Sequence, residues 1–210
     1  MVSYWPEFLS IVVAHALAVA SPGPDFAIVL KQSLAHGRRT AIWTSIGIGV
    51  GLSIHITYCL LGLGLLLKSS DSALVAVKYL GAAYLAYLGI QALRVKPRTA
   101  EITLVTAERV PTGRAAWATG FLVNVLNPKA ALFFLALFVL RVSPSTPKLI
   151  QLGYGVWMTL ATIGWFSFVS VVFTQPEIRH KFLHYGHWID RTLGVVFLFF
   201  ALSLAFAELK

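Results

Sequence analysis

Charge is scarce in this chain. Asp, Glu, Lys and Arg make up 12% of its 210 residues, about half of what an ordinary soluble domain carries. Too few charged groups are present to cover a water-facing surface. Cysteine occurs once, as Cys59 inside an apolar run, which excludes an intrachain disulfide. No Gly-x-x-x-x-Gly-Lys-Ser/Thr loop is present, so ATP is not expected as a direct driver. His-Glu-x-x-His and Gly-x-Ser-x-Gly are missing too, and no nucleophile with a paired base emerges, so an intramembrane hydrolase ranks last. A basic start is also lacking: the first seven residues hold Glu7 and no Lys or Arg. The A-x-A pattern in "ALAVA" (16–20) is therefore expected to lie in a retained span rather than a signal peptide, because the apolar run resumes as "FAIVL".

Apolar residues are plentiful, at 58% of the chain, and mean hydropathy is +0.78. A spanning helix needs about 20 such residues. Six stretches qualify, at 5–31, 40–67, 72–93, 115–140, 149–174 and 189–207. Trp5, Trp43, Trp117 and Trp188 fall near their ends, where amphipathic rings favour the headgroup layer. The expected class is an all-α integral membrane protein.

The formal charge of +9 would suggest nucleic acid in a soluble protein, but here the cations lie between apolar stretches, so a nucleic-acid partner is not expected. Lys and Arg are unevenly divided. The first, third and fifth loops carry eleven, from Lys31 to Arg191, and the opposite side carries Lys68, Arg141, Lys148 and Lys210. The positive-inside rule then places both termini outside. The polar stretch 96–114 reads as a cytoplasmic linker between three-span halves, 1–95 and 115–210, within one membrane domain.

The halves resemble one another. A shift of 104 sets Pro24 on Pro128, Asp25 on Lys129, and Gly49 and Gly51 on Gly153 and Gly155. "KYLGAAYLAYLG" (78–89) sits beside "RTLGVVFLFFAL" (191–202), each with a cation three residues before glycine. Three spans per half make the second half antiparallel to the first, a 3+3 inverted repeat as in many secondary transporters.

Two motifs interrupt the apolar runs. In "SPGPD" (21–25), Pro22 and Pro24 lack N–H groups and clash with the preceding turn, Gly23 separates them, and Asp25 adds a charge. Placing that charge at mid-membrane costs about 2.5–3.5 kcal/mol. It is tolerable in a wet, partnered cavity, or alternatively near the surface, with Asp25 snorkelling or capping the next segment. In "GFLVNVLNPKA" (120–130), Asn124 and Asn127 are polar, Pro128 interrupts and Lys129 is cationic. Asn127-Pro128 reads as a helix start, whose positive dipole end suits an anion. A surface helix start with Lys129 among headgroups is the alternative. The first and fourth helices are thus expected to break at their prolines.

A carboxylate and an ammonium at matching positions suit a zwitterion such as an amino acid: Asp25 for its ammonium, Lys129 or the Asn127 helix start for its carboxylate. Asp25 is also the group through which protons could couple to transport. The pair could equally neutralise itself. Gly47 and Gly51 permit close helix approach or line the path, and His15 and His55, both within spans, are each a packing residue or part of the pathway. His180, His184 and His187 could share a helix face in "PEIRHKFLHYGHWIDR" (176–191), which reads as an amphipathic surface helix. They lack a carboxylate or cysteine companion, so neither metal nor cofactor is expected.

"ASPGPDFAIV", "KYLGAAYLAYLGIQALR" and "GFLVNVLNPKAALFF", in this order and spacing over nearly the whole chain, resemble the LysE/RhtB family of bacterial amino-acid exporters. His15 and "WID" (188–190) are nearest the threonine and homoserine branch. The resemblance implies a proton-driven inner-membrane exporter, not an enzyme, with a homodimer as a further expectation. It puts Pro22, Gly23, Pro24, Asp25, Asn124, Asn127, Pro128 and Lys129 at the functional centre. Rival readings are a lipid-linked substrate flippase or scramblase, and a non-transporting assembly partner. The latter requires Asp25 far from Lys129 with dry packing between.

Overall fold

The computed structural model describes residues 4–21, 23–69, 71–95, 110–143 and 145–206. Pro22 and most of the 96–114 linker lie outside the described residues, as do the side chains of His180 and His184. Eight helices appear among the described residues: α1 (Trp5–Ala20), α2 (Pro24–His36), α3 (Arg38–Ser69), α4 (Asp71–Leu93), α5 (Gly113–Val125), α6 (Pro128–Arg141), α7 (Lys148–Val172) and α8 (Pro176–Ala205).

At each of two interior breaks a proline stands in the first turn of the helix that follows. Ser21 is extended at φ −69°, ψ 124°, as a residue before proline must be. Gly23 is extended too, and Pro24 opens α2, where its missing N–H costs nothing. Asn127 is the N-cap of α6, its Oδ1 accepting from the Lys129 N–H at 2.9 Å, and Pro128 follows in the first turn. α1 and α2 meet at 53°, and α5 and α6 at 56°.

α3 over Arg38–Leu61, α7, and α8 over Tyr185–Ala205 are each long and apolar enough to cross a bilayer, and the two bent pairs meet the same measure when joined. α4 has 23 residues, about 35 Å of helix, and occupies the third predicted stretch. The surface is apolar, with Leu80, Leu149, Leu160, Phe199 and Phe206 all exposed. Such a surface fits hydrocarbon, and the protein is a multi-pass membrane protein. One boundary differs from expectation. The surface helix at 176–191 and the span at 189–207 form a single helix, α8. No proline follows Pro176 in it.

Lipid tails are as apolar as leucine, so helices in a bilayer associate by close packing rather than by escape from water. α3 is the hub, packing chiefly on α5 and then α7, while α4 packs on α8. Glycine makes the first contact possible: a Cβ on Gly47 would collide with the Trp117 carbonyl, and one on Gly120 with the Thr44 carbonyl. Two buried clusters result. Phe133, Phe134, Leu52, Tyr154, Met158 and Phe197 belong to the larger. Phe26, Val29, Ile48, Phe166 and Val169 form the smaller.

Candidate functional site

Between the two clusters lies a cavity of about 50 Å³, room for several waters. Phe26 and Phe166 come to it from the smaller cluster, and Leu52, Phe133 and Phe134 from the larger. Its polar wall is built at the helix breaks. Ser21, Gly23 and Asp25 come from the first, Asn124, Asn127 and Lys129 from the second, and His15 and Thr162 from α1 and α7.

The breaks hold each other. Asn124 Nδ2 donates to Asp25 Oδ2 at 3.0 Å, and Asn127 Nδ2 donates to the same oxygen at 3.1 Å. In return, Lys129 Nζ donates at 3.0 Å to the Ser21 carbonyl, left outside α1 by its break. The ammonium also lies over the Phe197 ring, 5.3 Å from its centroid. Gly23 leaves room for this lysine: a Cβ there would stand 3.2 Å from Nζ and 3.3 Å from Cδ.

Asp25 and Lys129 attract one another across this space. Two acceptors remain. Asp25 Oδ1 and Asn124 Oδ1 are buried and have no hydrogen-bond donor among the described residues. A buried acceptor without a donor costs about 1–3 kcal/mol, so both oxygens favour a donor-rich guest.

α3 clasps the second break from behind. His55 Nε2 lies 2.9 Å from the Asn124 carbonyl, which can only accept, so this nitrogen carries the proton. Tyr58, 3.1 Å from His55 Nδ1, donates to the Ala131 carbonyl at 3.1 Å. One α3 turn thus grips α5 before the break and α6 after it. His15, buried at the cavity wall, has Nε2 3.0 Å from Thr162 Oγ1 and packs edge-on to Trp157.

Of the residues singled out by sequence, Asp25, Gly23, Asn124, Asn127, Lys129 and His15 come together around one cavity. Pro24 and Pro128 begin the helices that carry the charges and do not line it. Gly47 and Gly51 lie behind the wall, where helix α3 meets α5; a Cβ on Gly51 would stand 3.0 Å from Asn124 Cβ. Theirs is the packing role. The assembly-partner reading required Asp25 and Lys129 to be remote and the space between them solid, and the shared cavity is the opposite arrangement. Sequence reasoning named His55 without its clasp with Tyr58, quoted Asp190 within "WID" without giving it a role, and missed Thr162. Asp190 is buried on α8, and its field reaches Lys129. A lone carboxylate within the apolar window of α8 was the available signal.

The profile of the LysE type translocators matches residues 16–208. The chain belongs to that family. Its members move solutes and are not enzymes. A threonine efflux protein of Salmonella typhi is 30% identical over 94% of this chain and 96% of its own length. The threonine efflux protein of Escherichia coli K12 is 29% identical over the same shares. An uncharacterized membrane protein of Pseudomonas aeruginosa is 32% identical over 97% of both chains. No solved structure matches significantly.

Proposed function

We propose that this protein is a secondary transporter that exports amino acids, neutral ones such as threonine or homoserine among them, across the bacterial inner membrane in exchange for protons. The observation that carries the reading is the pair of donorless acceptors, Asp25 Oδ1 and Asn124 Oδ1, in one cavity with the Lys129 ammonium. An α-ammonium supplies three donors to such oxygens. An α-carboxylate suits Lys129 and the α6 N-terminus, where Ala130 of the first turn lines the cavity. Threonine efflux relatives point the same way.

Exchange follows from competition at Asp25. A proton on the carboxyl removes the charge that holds the substrate ammonium, and loss of the proton restores it. Proton and substrate therefore occupy Asp25 alternately, which is antiport. In this reading α1–α2 and α5–α6 are the broken first and fourth of six spans, the halves form a 3+3 inverted repeat, and both termini lie outside. Packing of α3 on α7 and of α4 on α8, elements that the repeat equates, supports it.

The test is counterflow in proteoliposomes against a panel of amino acids, with and without a pH gradient. Uptake driven by trapped amino acid and accelerated by the gradient is expected. Movement of lipid headgroups between leaflets with no amino-acid exchange would turn the assignment to the flippase reading.

A further inference from the structure

A second feature lies on the outer surface of the helices, away from the cavity. α1 and α8 enclose an apolar groove of about 670 Å³, within the size range of small-molecule sites, about 300–1,000 Å³. Leu9, Val13 and Leu17 line it from α1 at four-residue spacing, and Val195 and Phe199 face them from α8. Arg141, the last residue of α6, enters the same groove. It also lines a smaller neighbouring cavity with Ala14, Leu85 and Phe200. The guanidinium has no hydrogen-bond or carboxylate partner among the described residues. A permanent cation beside an apolar groove at the edge of the bilayer is suited to pair with an anion.

Neighbouring contacts set the depth of Arg141. Two residues on, the Ser143 N–H donates to Glu7 Oε2 at 3.0 Å, and the Thr146 hydroxyl donates to the same carboxylate at 3.0 Å. Those bonds tie the end of α6 to the first turn of α1, where Trp5 is exposed. An exposed tryptophan at a helix end marks the headgroup layer. Arg141 therefore stands at phosphate level, and the apolar wall from Leu9 to Leu17 runs about 12 Å from there toward the hydrocarbon. Glu7, the nearest carboxylate in this network, is already engaged by Ser143 and Thr146.

We infer that this groove is a phospholipid site, in which Arg141 holds the headgroup phosphate through paired N–H donors and the α1–α8 wall holds an acyl chain. The lipid is a resident of the fold and not cargo, and the site does not depend on the amino-acid reading. It ties α8, which carries Asp190, to α1 and the end of α6.

The experiment uses the full chain, delipidated in neutral detergent. Binding is followed by native mass spectrometry and by melting temperature on adding phosphatidylglycerol, diacylglycerol with the same chains, or inorganic phosphate. Phosphatidylglycerol is expected to bind and raise the melting temperature by several degrees, the other two to do neither. Arg141→Gln should bind phosphatidylglycerol about five- to tenfold more weakly. Val13→Trp, which fills the groove and leaves Arg141 intact, should lose binding as well, while Asp25→Asn should bind as wild type. Equal stabilisation by diacylglycerol or by phosphate alone overturns the proposal, as does unchanged binding in both Arg141→Gln and Val13→Trp. Quantitative Val13→Cys cross-linking between copies in phosphatidylglycerol vesicles would place a second chain in the groove and overturn it too.

Discussion

The two helix breaks look alike in outline and are built differently. The first, at Ser21–Pro24, has glycine as N-cap and no side-chain cap bond. The second, at Leu126–Pro128, is capped by Asn127 and clasped on both flanks by His55 and Tyr58. One is held from within, the other mainly by its counterpart: Asn124 and Asn127 grip Asp25, and Lys129 takes the Ser21 carbonyl. The difference identifies the second break as scaffold and the first as the element whose position depends on it. Each break also offsets part of the polar cost of the other, which a single break in hydrocarbon could not do.

Substitutions at the two breaks separate their roles. Asp25→Asn removes the charge on which substrate and proton compete in the proposed exchange. Export is expected to fall by about 100-fold or more, the scale of losing one member of a buried charged pair, with membrane abundance unchanged. Wild-type efflux from this variant in proteoliposomes would falsify the coupling role. Lys129→Ala should raise the half-saturating substrate concentration about tenfold, as loss of a charge-assisted hydrogen bond does. Unchanged apparent affinity in a concentration series would remove Lys129 from carboxylate recognition.

Asn127→Ala deletes a helix cap and one of the amides on Asp25. It should destabilise by about 1–2 kcal/mol, read as a lower melting temperature in detergent, together with reduced export. Gly23→Ala, at the first break, meets only the flexible Lys129 side chain. It should cost less stability than Asn127→Ala, and the reverse order would contradict the scaffold assignment. Tyr58→Phe is the mildest change. It removes the bond to the Ala131 carbonyl, worth about 1 kcal/mol, and should lower the melting temperature slightly while leaving substrate preference as it was. Altered preference would mean that the clasp shapes the site itself.

Much of the fold was legible because its causes are local. Span lengths follow from runs of apolar residues. The helix start at Pro24 follows from a residue suited to a first turn, and the Asn127–Pro128 start from a side chain that caps its own neighbour. The join between 176–191 and the last span was misread because amphipathic spacing marks which face is polar without marking where a helix bends. Gly47 and Gly51 were ambiguous for a related reason. A small-residue stripe says that something approaches closely, and only coordinates show that it is α5 rather than a solute.

The order of residues was enough to give the apolar lengths, the two helix starts that carry proline in their first turn, and one acid and one base beside them. Tertiary structure decided who meets whom. The bonds joining Asp25 to Asn124 and Asn127, and Lys129 to Ser21, close loops of 99, 102 and 108 residues. The partners His15–Thr162 are 147 residues apart. No local pattern encodes such pairs. They arise because glycine-lined helices pack closely enough to set buried donors and acceptors within 3 Å of one another, and because hydrocarbon leaves those groups no water to turn to.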